Sequence, residues 1–363
     1  MKKMKTRGVF VAIALVIAIA MISFSSVNAQ SRPHFRVAWS IYAGWMPWDY
    51  AGNSGVLKKW ADKYGITIEL IRMDYAPSVE AFVAKQVDAV TVTNMEALDM
   101  PAASGIDTTV VVVGDYSNGN DAIQTRDGIG FNNLRGQRTY LAQFTVSHYL
   151  LNRCLELKTG GKLAERDVTV VNTSDADIAP AFIADRSQKV VVTWNPMVMQ
   201  IAQQPGVRSI CTSADIPGEV LDLMVVRTDV LKKNPNLGKA LTGAWYEVMG
   251  LMTRRGDPKE TAALSYMAKA SGATLVEFQS QLQTTAMFYT PLSAVQYTES
   301  AELKTKMDFV RQFCFKNGLL GQNARSVNIV GIQYPDGSVQ GDSQNIKFRF
   351  DTSYMRLAAE GKL

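Results

Sequence analysis

Histidine is scarce in this sequence, which has only His34 and His148 among 363 residues. Such a low count argues against a histidine-rich metal site and weakens any hypothesis of a catalytic triad. The sequence also lacks a Walker loop, the nucleophile elbow of serine hydrolases and a zinc-binding helix motif. We therefore expect no metal, no cofactor and no enzymatic activity, although carboxylates alone could still perform acid–base chemistry.

An excess of charge of either sign is also lacking once the first 29 residues are set aside. The formal net charge is +5, but the segment Lys2–Arg7 supplies four positive charges, and residues 30–363 carry 34 basic and 33 acidic side chains. A protein that binds nucleic acid through its charge needs a basic surface. We therefore expect no nucleic-acid partner.

Residues 1–29 have the pattern of a secretory signal peptide. The basic segment Lys2–Arg7 precedes an apolar run, Gly8–Phe24, and the small residues Val27–Ala29 follow at the expected cleavage site. An uncleaved membrane anchor is the alternative, because the apolar run is close to the length that spans a bilayer. No cysteine ends the run, which argues against a lipid anchor. We expect a soluble protein in the periplasm.

Cysteine is nearly as scarce as histidine, since only Cys154, Cys211 and Cys314 occur. An exported protein can form disulfides, but the count is odd and the spacing is wide. The general tendency of cysteine to be buried favours unpaired, buried residues. Cys154 and Cys211 are the first pair to test for a disulfide, because both fall in one proposed lobe.

Short β-branched runs alternate with amphipathic segments along most of the chain, which predicts βαβ units and mostly parallel sheets. The predicted strands are 35–41, 66–73, 89–93, 109–113, 138–142, 168–171, 190–193 and 221–227. The predicted helices are 55–64, a short one capped by Ser78, 95–103, 145–155, 178–184, 237–255, one that begins at Asp257 and Pro258, and others up to residue 317.

This order predicts an α/β protein with two lobes, each a mostly parallel sheet with flanking helices, hinged around a central cleft. The polar segment Asp115–Asp121 is interpreted as a crossing between the lobes. The expected boundaries are 30–118 for the first part of lobe 1, 119–222 for lobe 2, 223–330 for a mostly helical return to lobe 1, and 331–363 for a tail of uncertain packing.

Polar and aromatic side chains are concentrated where the predicted strands end, which is where open parallel sheets bind ligands. The loops that follow the strands contain carboxylates and tryptophans but no lysine or arginine. The candidate ligand-binding residues are Trp45, Trp48, Asp49, Asn94, Glu96, Asp115, Tyr116, Asp121, Thr145, Trp194, Asn195, Glu219 and Asp222.

Most of these residues also have a purely structural interpretation. Asp49 and Asp115 are of the type that caps turns and helices, and Glu96 suits the N-terminus of a helix. The tryptophans could form a surface cluster or belong to the core. The hypothesis of a site therefore depends on the convergence of several residues.

Several motifs, by their order and spacing, resemble those of the periplasmic substrate-binding proteins of ABC importers for nitrate, aliphatic sulfonates, taurine and thiamine pyrimidines. They are Ser78-x3-Phe82 before Val87-Asp88-Ala89, Asn133–Arg138 before Thr145-x2-His148-Tyr-Leu-Leu151, and Val191–Pro196. Together they cover roughly residues 35–250. The resemblance implies a two-lobe periplasmic binding protein fold, a small-molecule solute, a membrane permease as partner, and a monomer.

Three further segments resemble a subgroup that is encoded beside urea carboxylase-related enzymes and tied to uptake of urea and guanidine. They are Gly44–Asp49, Thr93–Leu98 and Gly114–Asp121. The resemblance implies a small nitrogen-rich solute. The carboxylates and tryptophans among the candidate residues suit such a solute, because a guanidinium ion offers N–H donors to carboxylates and a planar face that stacks on indole.

Three alternatives stay open at this point. A small anion is the first, because Thr145 could open a helix whose free amides face the cleft. An enzyme on the same scaffold is the second, although the cysteine-rich motif of the related thiamine-pyrimidine synthases is absent. A sensory module that reports to a kinase is the third.

Overall fold

Two β-sheets carry the fold in residues 32–363, the part of the chain that the structure, a computed structural model, describes. The predicted signal peptide, residues 1–29, lies outside the described residues. Within residues 32–363, no helix combines the length and the apolar character needed to cross a bilayer.

The strands alternate with helices over much of the chain. They are β1 (His34–Trp39), β2 (Thr67–Arg72), β3 (Ala89–Thr93), β4 (Thr108–Ser117), β5 (Asp121–Thr125), β6 (Arg138–Leu141), β7 (Thr169–Asn172), β8 (Val190–Trp194), β9 (Arg208–Thr212), β10 (Leu221–Arg227), β11 (Thr285–Met287), β12 (Gly331–Gln333), β13 (Val339–Gln340) and β14 (Ile346–Phe350).

The α-helices are most frequent between β10 and β12. They are α1 (Met46–Asn53), α2 (Val56–Lys63), α3 (Tyr75–Val83), α4 (Asn94–Ala97), α5 (Val146–Thr159), α6 (Asp175–Ala184), α7 (Met197–Ala202), α8 (Thr228–Lys233), α9 (Asn236–Met252), α10 (Pro258–Ala270), α11 (Leu275–Gln283), α12 (Pro291–Thr298), α13 (Ala301–Lys316) and α14 (Ser353–Ala359). Short 3-10 turns lie at Ala43–Trp45, Phe131–Asn133, Glu165–Asp167 and Ser213–Asp215, and a π-helical turn at Leu98–Ala102.

The larger sheet has the strand order β13-β12-β14-β4-β10-β3-β1-β2, and β11 pairs with the end of β4. β1 is parallel to β2 and β3, whereas β10 is antiparallel to both of its neighbours. β3 is buried at every residue, as expected of a central strand that is covered on both faces. We call the part of the chain around this sheet lobe 1.

The smaller sheet has the order β7-β6-β8-β5-β9, and the chain around it is called lobe 2. β6 is parallel to β7 and β8, and β5 is antiparallel to β8 and β9. The chain enters lobe 2 through residues 118–120 and returns through residues 213–220. The predicted α/β class with two sheets is confirmed, although each sheet contains antiparallel pairs.

The structure corrects several local predictions. The strands β5 and β9 were not predicted, and β4 continues to Ser117, into the segment that was interpreted as a crossing. The predicted helical cap at Ser78 is wrong, because α3 begins at Tyr75 after Asp74, and the Ser78 hydroxyl donates to the Tyr75 carbonyl. The predicted helix at 95–103 is divided into α4 and the π-helical turn.

The last 33 residues, 331–363, for which the sequence indicated no packing, complete the larger sheet. β14 runs parallel to β4 and pairs with β12, and α14 packs against α9 and α12. The three strands are only two to five residues long, so their periodicity carries little signal in the sequence.

A disulfide joins Cys154 of α5 to Cys211 of β9. The favoured prediction of unpaired cysteines is therefore wrong for these two residues, and the pair chosen for the first test is the one that forms. Cys314 is free and buried. Since both bonded residues lie in lobe 2, the disulfide fixes a helix of this lobe against the edge strand of its own sheet.

Candidate binding site

A small cavity lies where strand ends from the two sheets meet. Its wall combines residues from both lobes and from the crossings between them. The lining residues are Ser40, Tyr42, Trp45, Tyr75, Thr93, Asp121, Val146, Trp194, Val220 and Asp222. Four of them, Trp45, Asp121, Trp194 and Asp222, are among the predicted candidates.

The wall from lobe 1 is built by the segment that follows β1. The chain turns at Ala43–Trp45, which places Tyr42 and Trp45 edge to face with ring centroids 5.2 Å apart. Gly44 lets this turn approach β4, because a Cβ atom at residue 44 would lie 2.5 Å from Asp115 Oδ2 and from the Tyr42 ring. The turn therefore requires glycine for a close approach between two segments of the site.

Four aromatic rings continue across the site from one lobe to the other. Trp45 lies 5.5 Å from Tyr75, and Tyr75 lies 5.9 Å from Trp194, measured between ring centroids. Trp194 is the last residue of β8 in lobe 2, and Tyr75 is the first residue of α3 in lobe 1. The two lobes are thus in direct contact beside the cavity.

Three buried carboxyl groups lie at or next to the cavity. Asp115 and Asp222 occupy paired positions on β4 and β10, and Asp121 begins β5. The Tyr42 hydroxyl donates to Asp115 Oδ1 over 3.0 Å, and the Ser117 hydroxyl donates to Asp121 Oδ2 over 2.5 Å. Asp115 Oδ2 has no hydrogen-bond partner among the described residues.

Burial changes the acidity of all three groups. It raises the pKa of Asp115 to about 7, while the hydrogen bonds from Asp222 and Tyr42 lower it. It raises the pKa of Asp121 to about 7, against the hydrogen bond from Ser117. It raises the pKa of Asp222 well above the usual range, and repulsion by Asp115 acts in the same direction. The ionised form of such a carboxyl group is stabilised when a cation or a strong hydrogen-bond donor replaces the water that burial removes.

Two donors of the cavity wall lack partners as well. Trp45 Nε1 and Ser40 Oγ are buried and make no hydrogen bond within the described part of the chain. Buried polar groups are seldom left without a partner. A solute that carries an acceptor as well as donors would satisfy both kinds of group.

The cavity admits only a very small molecule in this arrangement of the lobes. The space that the centre of a water-sized sphere can occupy within it is about 20 Å³. One water molecule needs roughly 10–15 Å³ on the same measure. A solute of a few non-hydrogen atoms therefore suits the site, and a larger one requires the lobes to separate.

The start of α5 approaches the cavity, as the sequence suggested, but its amides are occupied. Thr145 is the N-cap, and its hydroxyl accepts from the Ser147 N–H. The Val146 N–H donates to Glu96 Oε1 over 2.9 Å. Glu96 and Thr145 thus lie behind the wall of the cavity, and the helix N-terminus already holds a carboxylate.

Three predicted candidates lie away from the cavity. Trp48 is buried against Trp245, with ring centroids 5.0 Å apart, so it belongs to the core. Asp49 accepts hydrogen bonds from Asn53 and the Tyr266 hydroxyl on the outer side of α1. Tyr116 stacks on Tyr297, with ring centroids 5.8 Å apart.

Three other candidates join segments near the crossings. Asn94 donates to the Glu219 carbonyl and accepts from the Leu221 N–H, both over 3.0 Å. The Glu219 carboxylate pairs with Arg153 and accepts from the Tyr149 hydroxyl. Asn195 accepts from the Met199 N–H and donates to Thr284. These side chains connect the segments around the cavity by hydrogen bonds and ion pairs, and they do not line it.

Six lining residues were not among the candidates. They are Ser40, Tyr42, Tyr75, Thr93, Val146 and Val220. Ser40 and Tyr42 follow β1 directly, so the rule about strand ends could have found them. Tyr75 begins a helix, and Val146 and Val220 are apolar, so their types and positions gave no signal of a ligand.

The overall structure is similar to several solved binding proteins. The alkanesulfonate-binding protein SsuA of Xanthomonas axonopodis pv. citri, solved with MOPS bound, is 16% identical, covers 80% of this chain and 96% of its own, and has a TM-score of 0.64. The periplasmic aliphatic sulphonate binding protein SsuA of Escherichia coli is 18% identical, with coverage of 80% and 94% and a TM-score of 0.62. The periplasmic nitrate-binding protein NrtA of Synechocystis PCC 6803 is 13% identical, with coverage of 91% and 100% and a TM-score of 0.53.

The chain has a periplasmic binding protein fold. Identities this low establish the likeness of the fold only, since one fold hosts many ligands. No protein-family profile and no curated sequence matches the chain. The cavity described above lies between the lobes and beside both crossings.

Proposed function

We propose that this protein is the extracytoplasmic solute-binding component of an ABC importer. It encloses a small nitrogen-rich solute, guanidinium or urea, between its lobes and delivers it to a membrane permease from the periplasm. The observation that carries the proposal is the wall of the cavity, where Asp121 and Asp222 supply carboxyl groups and none of the ten lining residues described is basic. The protein binds and releases the solute without changing it.

The geometry supports a planar solute with several N–H groups. Guanidinium donates in a plane to carboxylates and stacks on aromatic rings, and the wall offers both kinds of surface. A desolvated cation–π contact contributes about 2 kcal/mol, and a charge-assisted hydrogen bond about 1.5–3 kcal/mol. A micromolar dissociation constant requires about 8 kcal/mol after the costs of binding are offset, so the solute needs several such contacts.

Urea is the second candidate because of the two wall donors without partners. Guanidinium has no acceptor, whereas the carbonyl oxygen of urea can accept from Trp45 Nε1 or Ser40 Oγ. Urea would in turn donate its N–H groups to Asp121 and Asp222. The neutral molecule forms weaker hydrogen bonds with carboxylates than the cation does. Measured affinities for guanidinium and urea therefore decide between the two solutes.

A small anion is the competing hypothesis, because the similar SsuA and NrtA proteins are named for sulfonate and nitrate. An anion needs basic side chains or free amides. Among residues 32–363, no basic residue lines the cavity, and the Val146 amide is already bonded to Glu96. These two observations favour the cationic or neutral solute.

A thermal-shift panel on residues 30–363 tests the proposal. The solutes are guanidinium chloride at low millimolar concentration, urea, taurine and sodium nitrate, each against sodium chloride of equal ionic strength. A ligand at 100 times its dissociation constant stabilises the folded state by about 2.7 kcal/mol. Stabilisation by guanidinium or urea supports the proposal, and stabilisation by nitrate or taurine alone overturns it.

A pair of variants connects the binding to this cavity. Asp121→Asn removes one charge from the wall, and we expect at least a tenfold weaker affinity for the solute in calorimetry. Asp49→Asn is the matched control, because Asp49 lies outside the cavity on α1, and its affinity should equal that of the wild type. If Asp121→Asn binds the solute as tightly as Asp49→Asn does, the solute does not bind in this cavity.

A further inference from the structure

The carboxylate of Glu96 reaches from lobe 1 to the first turn of a helix in lobe 2. Glu96 lies in α4, directly after β3, and is 1% exposed. Its Oε1 accepts from the Val146 N–H over 2.9 Å, and its other oxygen accepts from the Thr93 hydroxyl. Val146 and Thr93 both line the cavity, so Glu96 connects the two walls from behind.

The carboxylate occupies the place where the N-terminus of α5 attracts negative charge. A helix of 14 residues carries a partial positive charge at its start. The other amides of the first turn have partners, since Ser147 donates to the Thr145 hydroxyl, and His148 and Tyr149 donate to the Thr145 carbonyl. Glu96 thus supplies the remaining acceptor of this helix start.

The charge of Glu96 depends on these hydrogen bonds because it has little other compensation. Burial raises the pKa of Glu96, the hydrogen bonds from Thr93, Tyr75 and Val146 lower it, and no basic side chain of the described residues is among the causes. Because Glu96 belongs to lobe 1 and Val146 to lobe 2, a separation of the lobes would break this hydrogen bond.

We propose that Glu96 acts as a built-in anion, which ties the lobes together when they close and keeps free anions from the N-terminus of α5. The hydrogen bond forms without a solute, and only its effect on solute affinity rests on the proposed function. A single side chain thereby contributes to closure and to selection against anions.

Chemical rescue tests this role. Glu96→Ala removes a methylene and a carboxylate, which together correspond to acetate. We expect sodium acetate to stabilise Glu96→Ala saturably in thermal unfolding, relative to sodium chloride of equal ionic strength. The wild type and Glu80→Ala, which removes an exposed carboxylate from α3, should show no such effect. Folded Glu96→Ala that does not respond to acetate would overturn the proposal.

A second variant covers the case in which Glu96→Ala does not fold. Val146→Pro removes the donor N–H at the first helical position, where proline fits the backbone. We expect this variant to fold, to have a larger radius of gyration in X-ray scattering than the wild type, and to ignore acetate. An unchanged radius of gyration would overturn the proposal.

The outcome is separable from that of the proposed function. If the wild type binds neither guanidinium nor urea, the solute assignment fails, yet rescue of Glu96→Ala by acetate still supports the role of Glu96. If the solute binds, we expect Glu96→Ala to bind it at least tenfold more weakly and acetate to restore part of the affinity. Solute affinity equal to that of the wild type in Glu96→Ala would overturn the role in closure.

Discussion

At the scale of single residues, the acidity of the buried aspartates predicts that binding of the proposed solute depends on pH. The pKa values of Asp115 and Asp121 are raised to about 7 by burial, and a guanidinium ion binds the ionised form. We expect the dissociation constant for guanidinium to increase by up to about tenfold per pH unit below pH 7, because a proton must leave before the cation binds. Calorimetry between pH 5.5 and 8.5 measures this change.

Urea provides the comparison for that experiment. It is neutral and can pair with a carboxyl group in either protonation state, so its affinity should change less over the same range. If guanidinium binds equally well at pH 5.5 and 8.5, the ionised aspartates do not hold it.

Neighbouring residues show how far the sequence predicts the site. Trp45 and Trp48 are three residues apart and have the same type, but Trp45 ends a 3-10 turn and lines the cavity, whereas Trp48 lies in α1 and packs on Trp245. The direction of each side chain depends on the residue at which α1 begins. Helix boundaries are the least certain part of sequence-based prediction, so the sequence indicated this loop but could not separate its two tryptophans.

At the scale of elements, the turn at Ala43–Trp45 depends on its glycine. A Cβ atom at residue 44 would lie 2.5 Å from both Asp115 Oδ2 and Tyr42. We expect Gly44→Ala to destabilise the protein by about 1–3 kcal/mol, the usual range for overpacking, and to weaken solute binding. Thermal unfolding and calorimetry measure the two effects.

Gly250→Ala is the control for this substitution. Gly250 lies in α9 and has no atom within 4 Å of a new Cβ. Replacing a helical glycine by alanine stabilises a helix by about 0.5–1 kcal/mol, so this variant should be slightly more stable and bind normally. A destabilised Gly250→Ala together with a normal Gly44→Ala would contradict the packing described for the turn.

The disulfide gives a prediction for lobe 2. It closes a sequence separation of 57 residues between Cys154 and Cys211, for which chain entropy contributes about 4 kcal/mol. We expect a reducing agent, or Cys154→Ala with Cys211→Ala, to lower the midpoint of thermal unfolding by many degrees. Heat is the suitable denaturant, because urea and guanidinium are candidate solutes. An unchanged midpoint after verified reduction would show that the bond does not stabilise the fold.

The elements also differ in how well they could be predicted. β3 and β8 were found because strands covered on both faces form continuous apolar runs. β5 was missed because its buried sequence, Asp121–Thr125, contains three polar residues that face the site or other buried groups. β9 is an edge strand with a mixed pattern. These two strands therefore leave weaker signals in the sequence than the buried βαβ units beside them.

At the scale of the whole molecule, the cavity is made by the relation between two lobes, which no local pattern encodes. Residues as distant as Ser40, Trp194 and Asp222 meet only because the chain crosses twice between the sheets. The Ser213 hydroxyl joins both crossings by bonding Ser117 and the Gly119 N–H. Bending at these segments would open the cavity while each sheet stays intact, which is the hinge motion that the proposed function requires.

Burial of the acidic groups at this junction predicts how the stability of the empty protein depends on pH. The pKa values of Asp115, Asp121 and Asp222 are raised in the folded state, whereas those of the unfolded chain are near 3.9. Between these values the folded state binds more protons, so the free energy of unfolding falls as pH rises towards and through 7. We therefore expect a lower midpoint of thermal unfolding at pH 8 than at pH 6.

Guanidinium should reduce this loss, because it neutralises the carboxylates that ionise as the pH rises, and Asp121→Asn should reduce it without any solute. Urea should shift the midpoints of thermal unfolding at pH 6 and at pH 8 by similar amounts. A midpoint that is equal or higher at pH 8 in the empty wild type would mean that the acidic groups are hydrated, and hence that the lobes are open when no solute is bound. In that case the same scan in the presence of saturating solute would report closure directly, since burial of the aspartates would then accompany binding.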